Sequence, residues 1–251
     1  MKPARRFLSG SKRVVNPVRS PHRRCGSRLR RLTSNVVKFL VGALLLPVCL
    51  ATSIVLYSQL GSIQHLSRNQ VFFLLGVGAY IVIHLLFYQP TTIYVFGHEL
   101  THALCTWVSG GRVRSFHASW KGGKVTTTKS NAFISLAPYF FPIYTAFLSC
   151  GYFAISLFSD LSKYTPHFIF LIGLSWSFHI VLTVHFIKMR QPDILKAGTL
   201  FSVSLIYILN VTILALILSL LFPEVIFGDF FRSSYWQTAE FYTSIFAKLP
   251  L

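Results

Sequence analysis

The sequence predicts an all-α polytopic membrane protein with about five transmembrane helices and a β-hairpin between the second and third. Three observations predict it. The 251-residue chain is 53% hydrophobic and only 12% charged, about half the charge content of a soluble domain, and its mean hydropathy is +0.58. Its apolar residues gather into runs that reach the roughly 20 residues a bilayer core demands. Between two of those runs, residues 112–120 partly alternate polar and apolar, turn at Lys121-Gly122-Gly123 and resume over 124–128, which reads as two paired strands.

Residues 1–34 read as a basic, disordered cytoplasmic tail. Eleven of the 24 Lys and Arg fall in the first 31 residues, and no acid precedes Glu99. Such a run serves first as a topology signal that holds the N-terminus in the cytoplasm. Second, it attracts anionic lipid, at about 1 kcal/mol per basic residue near the surface. Being Arg- and Ser-rich without acids, it also has the composition of a transit peptide. The formal charge of +18 is thereby assigned to the membrane, and no nucleic-acid partner is expected.

The first span runs over 36–57, with Pro47 inside it, and a polar link, 58–70, follows. The second apolar region, 71–107, is interrupted only by Gln89-Pro90-Thr91-Thr92. At 1.5 Å per residue it is too long for one upright crossing of a core about 30 Å thick. It is therefore one helix kinked strongly at Pro90, or two segments meeting there. Gly110-Gly111 breaks it and opens the hairpin, 110–130, whose turn is expected at Lys121-Gly122-Gly123. Spans three to five follow at about 132–158, 167–187 and 197–222, the third kinked by Pro138 and Pro142. The transmembrane domain is thus 35–222, and 223–251 is a short non-cytoplasmic tail.

Charge sets the orientation. The hairpin carries Arg112, Arg114, Lys121, Lys124 and Lys129, and the link between spans four and five carries Lys188, Arg190 and Lys196. If 71–107 crosses once, every basic segment lies on the cytoplasmic side with the N-terminus; a double crossing puts the basic hairpin outside, so five crossings are favoured over six. Cys25, Cys49, Cys105 and Cys150 are scattered without a C-x-x-C pair and are given no role.

Within the second apolar region lies His98-Glu99-Leu100-Thr101-His102. Residues four apart share a helix face one turn apart, so the two imidazoles can grip one metal ion. Glu99, at the edge of that face, can reach a water beside the metal without ligating it. This is the H-E-x-x-H arrangement of zinc metalloproteases, with the Glu as general base. A lone carboxylate at the bilayer centre costs about 2.5–3.5 kcal/mol on insertion scales, and a divalent cation is the natural compensation.

A catalytic zinc takes three protein ligands and a water. Cys105 and Val108 stand where a metzincin would have Gly and His, and no acid occurs between Glu99 and Asp160. Asp160, Glu224 and Glu240 belong to the opposite side of the membrane. Asp193, in Arg190-Gln191-Pro192-Asp193-Ile194, is the one acid expected on the side of His102, with Pro192 suited to the first turn of a new helix. Taken alone, Asp193 reads as an ordinary helix N-terminal acid; beside an incomplete zinc site it is the preferred third ligand, with His179 or His185 as substitutes. His84 and Asn210 read as packing or hydrogen-bonding groups within the bundle, His117 as exposed, and Asn131 as a helix cap.

Gly97-His98-Glu99-Leu100-Thr101-His102-Ala103 in a membrane helix, a Gly-Gly hairpin after it, Ala137-Pro138-Tyr139-Phe140-Phe141-Pro142 and a later Pro192-Asp193 together resemble the site-2 protease class of intramembrane metalloproteases. The resemblance is to its small bacterial-type members without a PDZ domain, and covers roughly 75–205. It implies Zn2+ held by His98, His102 and Asp193, with Glu99 as the catalytic residue. It also implies a cleft near the cytoplasmic face, the hairpin near the substrate path, a single-span membrane protein as substrate and a bacterial cytoplasmic membrane as location. The family's common Asn-Pro-Asp-Gly stands here as Gln191-Pro192-Asp193-Ile194. No residue is assigned to substrate binding. The competing functions are a catalytically silent relative that binds transmembrane segments and a divalent-metal transporter, the latter short of the several acids a transport path uses.

Overall fold

The computed structural model describes residues 21–248 apart from 88, 121 and 190, with side chains described from residue 33 onward. It comprises two compact units, 1–37 and 38–251. In the first, the described residues form the opening turns of α1 (Pro21–Leu44). The tail expected to be disordered is therefore helical over 21–34, and its first 20 residues lie outside the described part. Arginine is a good helix former, and an apolar helix already nucleated downstream propagates back through it.

The second unit is a helical bundle. α2 (Leu46–Gly61) continues α1 across Leu45, whose N–H still donates to Val41 O at 3.1 Å. Pro47 is accommodated in the first turn of α2, where its missing N–H costs nothing. α3 (Arg68–Leu86) begins at a capping box, in which the Ser67 N–H donates to Gln70 Oε1 and the Gln70 N–H to Ser67 Oγ. The long second apolar region is not one kinked helix. It breaks at Phe87–Pro90 and resumes as α4 (Thr91–Val108).

α4 stops at Gly110, whose φ of +69° is the left-handed conformation that ends helices. The hairpin follows as β1 (Val113–Ser119) and β2 (Gly122–Thr127), antiparallel, with Ser119 opposite Gly122 and a bulge between Val113 and Ser115. The turn is tighter than expected, because Gly122, at φ +132°, already belongs to β2. α5 (Ala132–Phe140) and α6 (Ile143–Ser156) meet at Phe141-Pro142 with a 72° bend. A short turn, Ser162–Tyr164, leads into α7 (Thr165–Lys188), followed by α8 (Pro192–Ala197) and α9 (Thr199–Leu221). The stretch 223–251, read as a short tail, carries a 21-residue helix, α10 (Phe227–Ala247).

Four helices among the described residues are long and apolar enough to cross a membrane: Thr33–Gly61, Arg68–Leu86, Ser162–Lys188 and Thr199–Leu221. The bent α5–α6 pair makes a fifth if it is one span. α4, which carries the histidine motif, is not among them. Long-range bonds orient the bundle. At one end Lys38 Nζ donates to Lys196 O (2.8 Å); at the other Gln70 Nε2 donates to Leu221 O (2.9 Å) over a core that includes Phe73, Phe222 and Phe230.

The tightest helix contact, between α3 and α7, rests on Gly76 and Gly173. A Cβ on Gly76 would strike Phe170 O, and one on Gly173 would strike Phe73 O, so each glycine admits the other helix's backbone. Gly173→Ala is expected to separate these helices and lower stability by about 1–3 kcal/mol. Thermal unfolding in detergent checks this; an unchanged midpoint would show that the contact relaxes freely.

Candidate metal centre

Helix geometry sets the first two groups of the site. His98 and His102 lie one turn apart on α4, their ring centroids separated by 4.8 Å. Asp193 arrives from α8, a short helix seated between α7 and α9. Ile194 fixes that helix: it is 2% exposed and packs with Leu136, Tyr139 and Ile206. Ile194 is thus the anchor of the Asp193 turn. One potential ligand atom from each of His98, His102 and Asp193 lies within 4.8 Å of the others.

The hydrogen bonds fit these residues to a cation. His102 Nδ1 lies 2.8 Å from Ile134 O, a carbonyl that can only accept, so Nδ1 carries the proton. In the neutral ring Nε2 is then a bare lone pair, and it faces Asp193 Oδ2 at 3.5 Å. With the ring neutral, two acceptors face each other there, and a metal ion or a proton on Nε2 relieves the repulsion. An imidazole that donates its far N–H to a carbonyl is also the usual arrangement behind a metal-bound histidine. With a proton on Nε2 instead, the charge and N–H of His102 hold the Asp193 carboxyl below the ordinary carboxylate range despite its burial.

Glu99 lies beside this cluster and is buried at 8% exposure. Its side chain rests under β2, near the Val125 backbone and packed against Gly123. The two histidines, Glu99 and Asp193 line a cleft of about 600 Å³, together with Gly123 and Lys124 of the hairpin. Lys196, which ties to Lys38, also lines it, so the cleft opens at the basic end of the bundle.

The remaining candidates fall elsewhere. His179 is buried beneath the site beside Asn210 and the Tyr139 backbone, outside the metal-ligand cluster. His185 packs on Phe186, and His84 lies 3.5 Å from Gln89. His117 sits in β1 opposite Lys124. Asn131 caps α5 through the Ile134 N–H, and Asn210 donates to Tyr139 O and Ile206 O. Sequence reasoning missed two residues. Tyr139, fully buried, sets its ring edge-on to His98 at 4.9 Å, and Gly123 makes room for Glu99. The signal for the first was a tyrosine inside a proline-flanked apolar run; for the second, the Gly-Gly pair was read only as a turn.

No family model, no curated protein and no solved structure matches this chain.

A Cβ on Gly123 would come within 2.6 Å of Glu99 Oε1. Gly123→Ala is expected to lift the hairpin or turn the carboxylate. A displacement of about 1 Å costs on the order of 10²-fold in rate, while metal content stays unchanged. Parallel measurement of metal content and turnover checks this.

Proposed function

We propose that this chain is an integral membrane zinc metalloprotease of the site-2 class. It hydrolyses a peptide bond in or near the transmembrane segment of a single-span membrane protein. The observation that carries the reading is the confrontation of His102 Nε2 with Asp193 Oδ2, with His98 closing the set and a free carboxylate, Glu99, beside it. Histidine and aspartate are common zinc ligands, and three protein ligands leave the open position that catalysis requires.

Zinc at His98, His102 and Asp193 supplies Lewis acidity, making water a nucleophile near neutral pH and polarising the scissile carbonyl. The protein's residues do the rest. Glu99 takes a proton from the attacking water and delivers it to the departing amine. Tyr139 and the Ile134 carbonyl hold the two imidazoles in place. β2 lines the cleft, and its outer edge offers backbone donors and acceptors to an extended substrate. A helical substrate shields its peptide bonds within its own hydrogen bonds, so pairing with β2 would keep the unwound stretch open. Glu99 packs against Gly123 of that strand, so a substrate paired with β2 would lie next to the proton carrier.

The four to five apolar helices support an integral membrane location. The basic segments 112–129 and 188–196 support a cytoplasmic mouth for the cleft, with the N-terminus inside. The test is zinc content and cleavage of a single-span reporter by detergent-purified protein. The expected result is about one zinc per chain, with cleavage that stops on chelation and returns with zinc. Protein that holds no zinc after reconstitution would overturn the reading.

A further inference from the structure

α10 runs antiparallel along α2. Near its start Gln59 Nε2 donates to Ile226 O at 3.1 Å, and near its end the Tyr242 hydroxyl donates to Leu44 O. Residues 226–242 therefore lie alongside 44–59, the heart of the apolar stretch Thr33–Gly61. On the reading of that stretch as a membrane span, α10 sits at membrane depth. It is nonetheless not apolar enough to be counted among the candidate spans.

The helix is two-faced. Phe230, fully buried, and Ser234, 7% exposed, lie against the bundle. Asp229, Arg232, Ser233, Trp236 and Glu240 recur every three to four residues, so they form one stripe, and all five are exposed. Among the described residues no ion pair includes Asp229, Arg232 or Glu240. Glu240 gains only a 3.3 Å bond from Gln237. Lipid cannot solvate such a stripe, and charged side chains at membrane depth face protein or water-filled cavities.

We infer that this stripe is the surface on which two copies of the chain pair in the membrane. The order of its charges carries the inference. An acid precedes a base by three residues, Asp229 then Arg232. In a two-fold pair about the membrane normal the same patch meets itself, residue i against i+3 and the reverse. Asp229 of each copy then meets Arg232 of the other, twice over. Trp236, 59% exposed, supplies the broad amphipathic contact area of an interface centre. The second amide N–H of Gln237 reaches Glu240 of the other copy, extending a bond that each helix already makes within itself. The pattern closes on itself and needs no foreign charge.

The experiment uses the full chain in membranes, with its native cysteines replaced by alanine and Trp236→Cys introduced. Oxidation is expected to give a disulfide-linked dimer. D229R alone and R232D alone each set like charges together and are expected to cut cross-linking several-fold. The double reversal D229R/R232D restores the acid–base pairing and should restore the cross-link. That rescue separates pairing from misfolding. No dimer, or cross-linking indifferent to the single reversals, overturns the inference, as does rapid modification of Cys at 236 by a membrane-impermeant thiol reagent. Protein extracted from membranes by carbonate overturns the membrane reading itself; a carbonate-resistant monomer overturns the pairing alone.

Discussion

Glu99→Gln is expected to lower peptide-bond cleavage by on the order of 10²–10⁴-fold, the usual contribution of a positioned general base, with zinc content unchanged. The amide is nearly isosteric with the carboxylate, so it keeps the packing under β2 and the contact with Gly123. Its carbonyl oxygen can still accept a backbone N–H from β2. It cannot take a proton from water at neutral pH. Glu99 is also outside the cluster formed by His98, His102 and Asp193, so metal affinity should survive. Single-turnover cleavage of a reporter beside zinc analysis separates the two effects. Full cleavage by the variant would remove Glu99 from the chemistry and favour a different proton carrier. Loss of zinc together with activity would instead make Glu99 a ligand.

What could be read from the chain, and what could not, divides along the reach of the interactions. Local pattern located the apolar segments, the break at Pro90, the hairpin and the helical cap at Asn131, because each depends on neighbours within a few turns. The histidine spacing needed only a helix to put two rings on one face. Asp193 stood 91 residues after His102, and only its side of the membrane could be argued from the charge pattern; its approach to 3.5 Å depends on Ile194 packing among α5 and α9. The Gly76–Gly173 contact was equally illegible, since a glycine in an apolar helix gives no sign of which backbone it admits. α10 was missed for a related reason. Asp229, Arg232 and Glu240 broke the apolar pattern that would have marked a long helix, although its inner face is buried at Phe230 and Ser234.

Asp193→Ala is expected to weaken zinc binding by more than about 100-fold, beyond the 10–100-fold that loss of a merely supporting partner costs. His179→Ala and His185→Ala should leave one zinc in place. The difference follows from position. Asp193 Oδ2 is the acceptor opposite His102 Nε2, whereas His179 lies under the site against Asn210 and His185 against Phe186. The turn that presents Asp193 is held by Ile194, 2% exposed, and by Ser202 donating to Ile194 O at 3.3 Å, so truncating the aspartate should leave α8 in place. Asp193→Asn sharpens the test. It keeps an oxygen at the same place without the negative charge, and should bind zinc more weakly than the native chain but more tightly than the alanine variant. Competition with a chromophoric chelator measures the native chain and all four variants. Zinc retained in Asp193→Ala and lost in His179→Ala would move the third ligand into the bundle. The cation that resolves the His102–Asp193 confrontation would then be a proton on the imidazole.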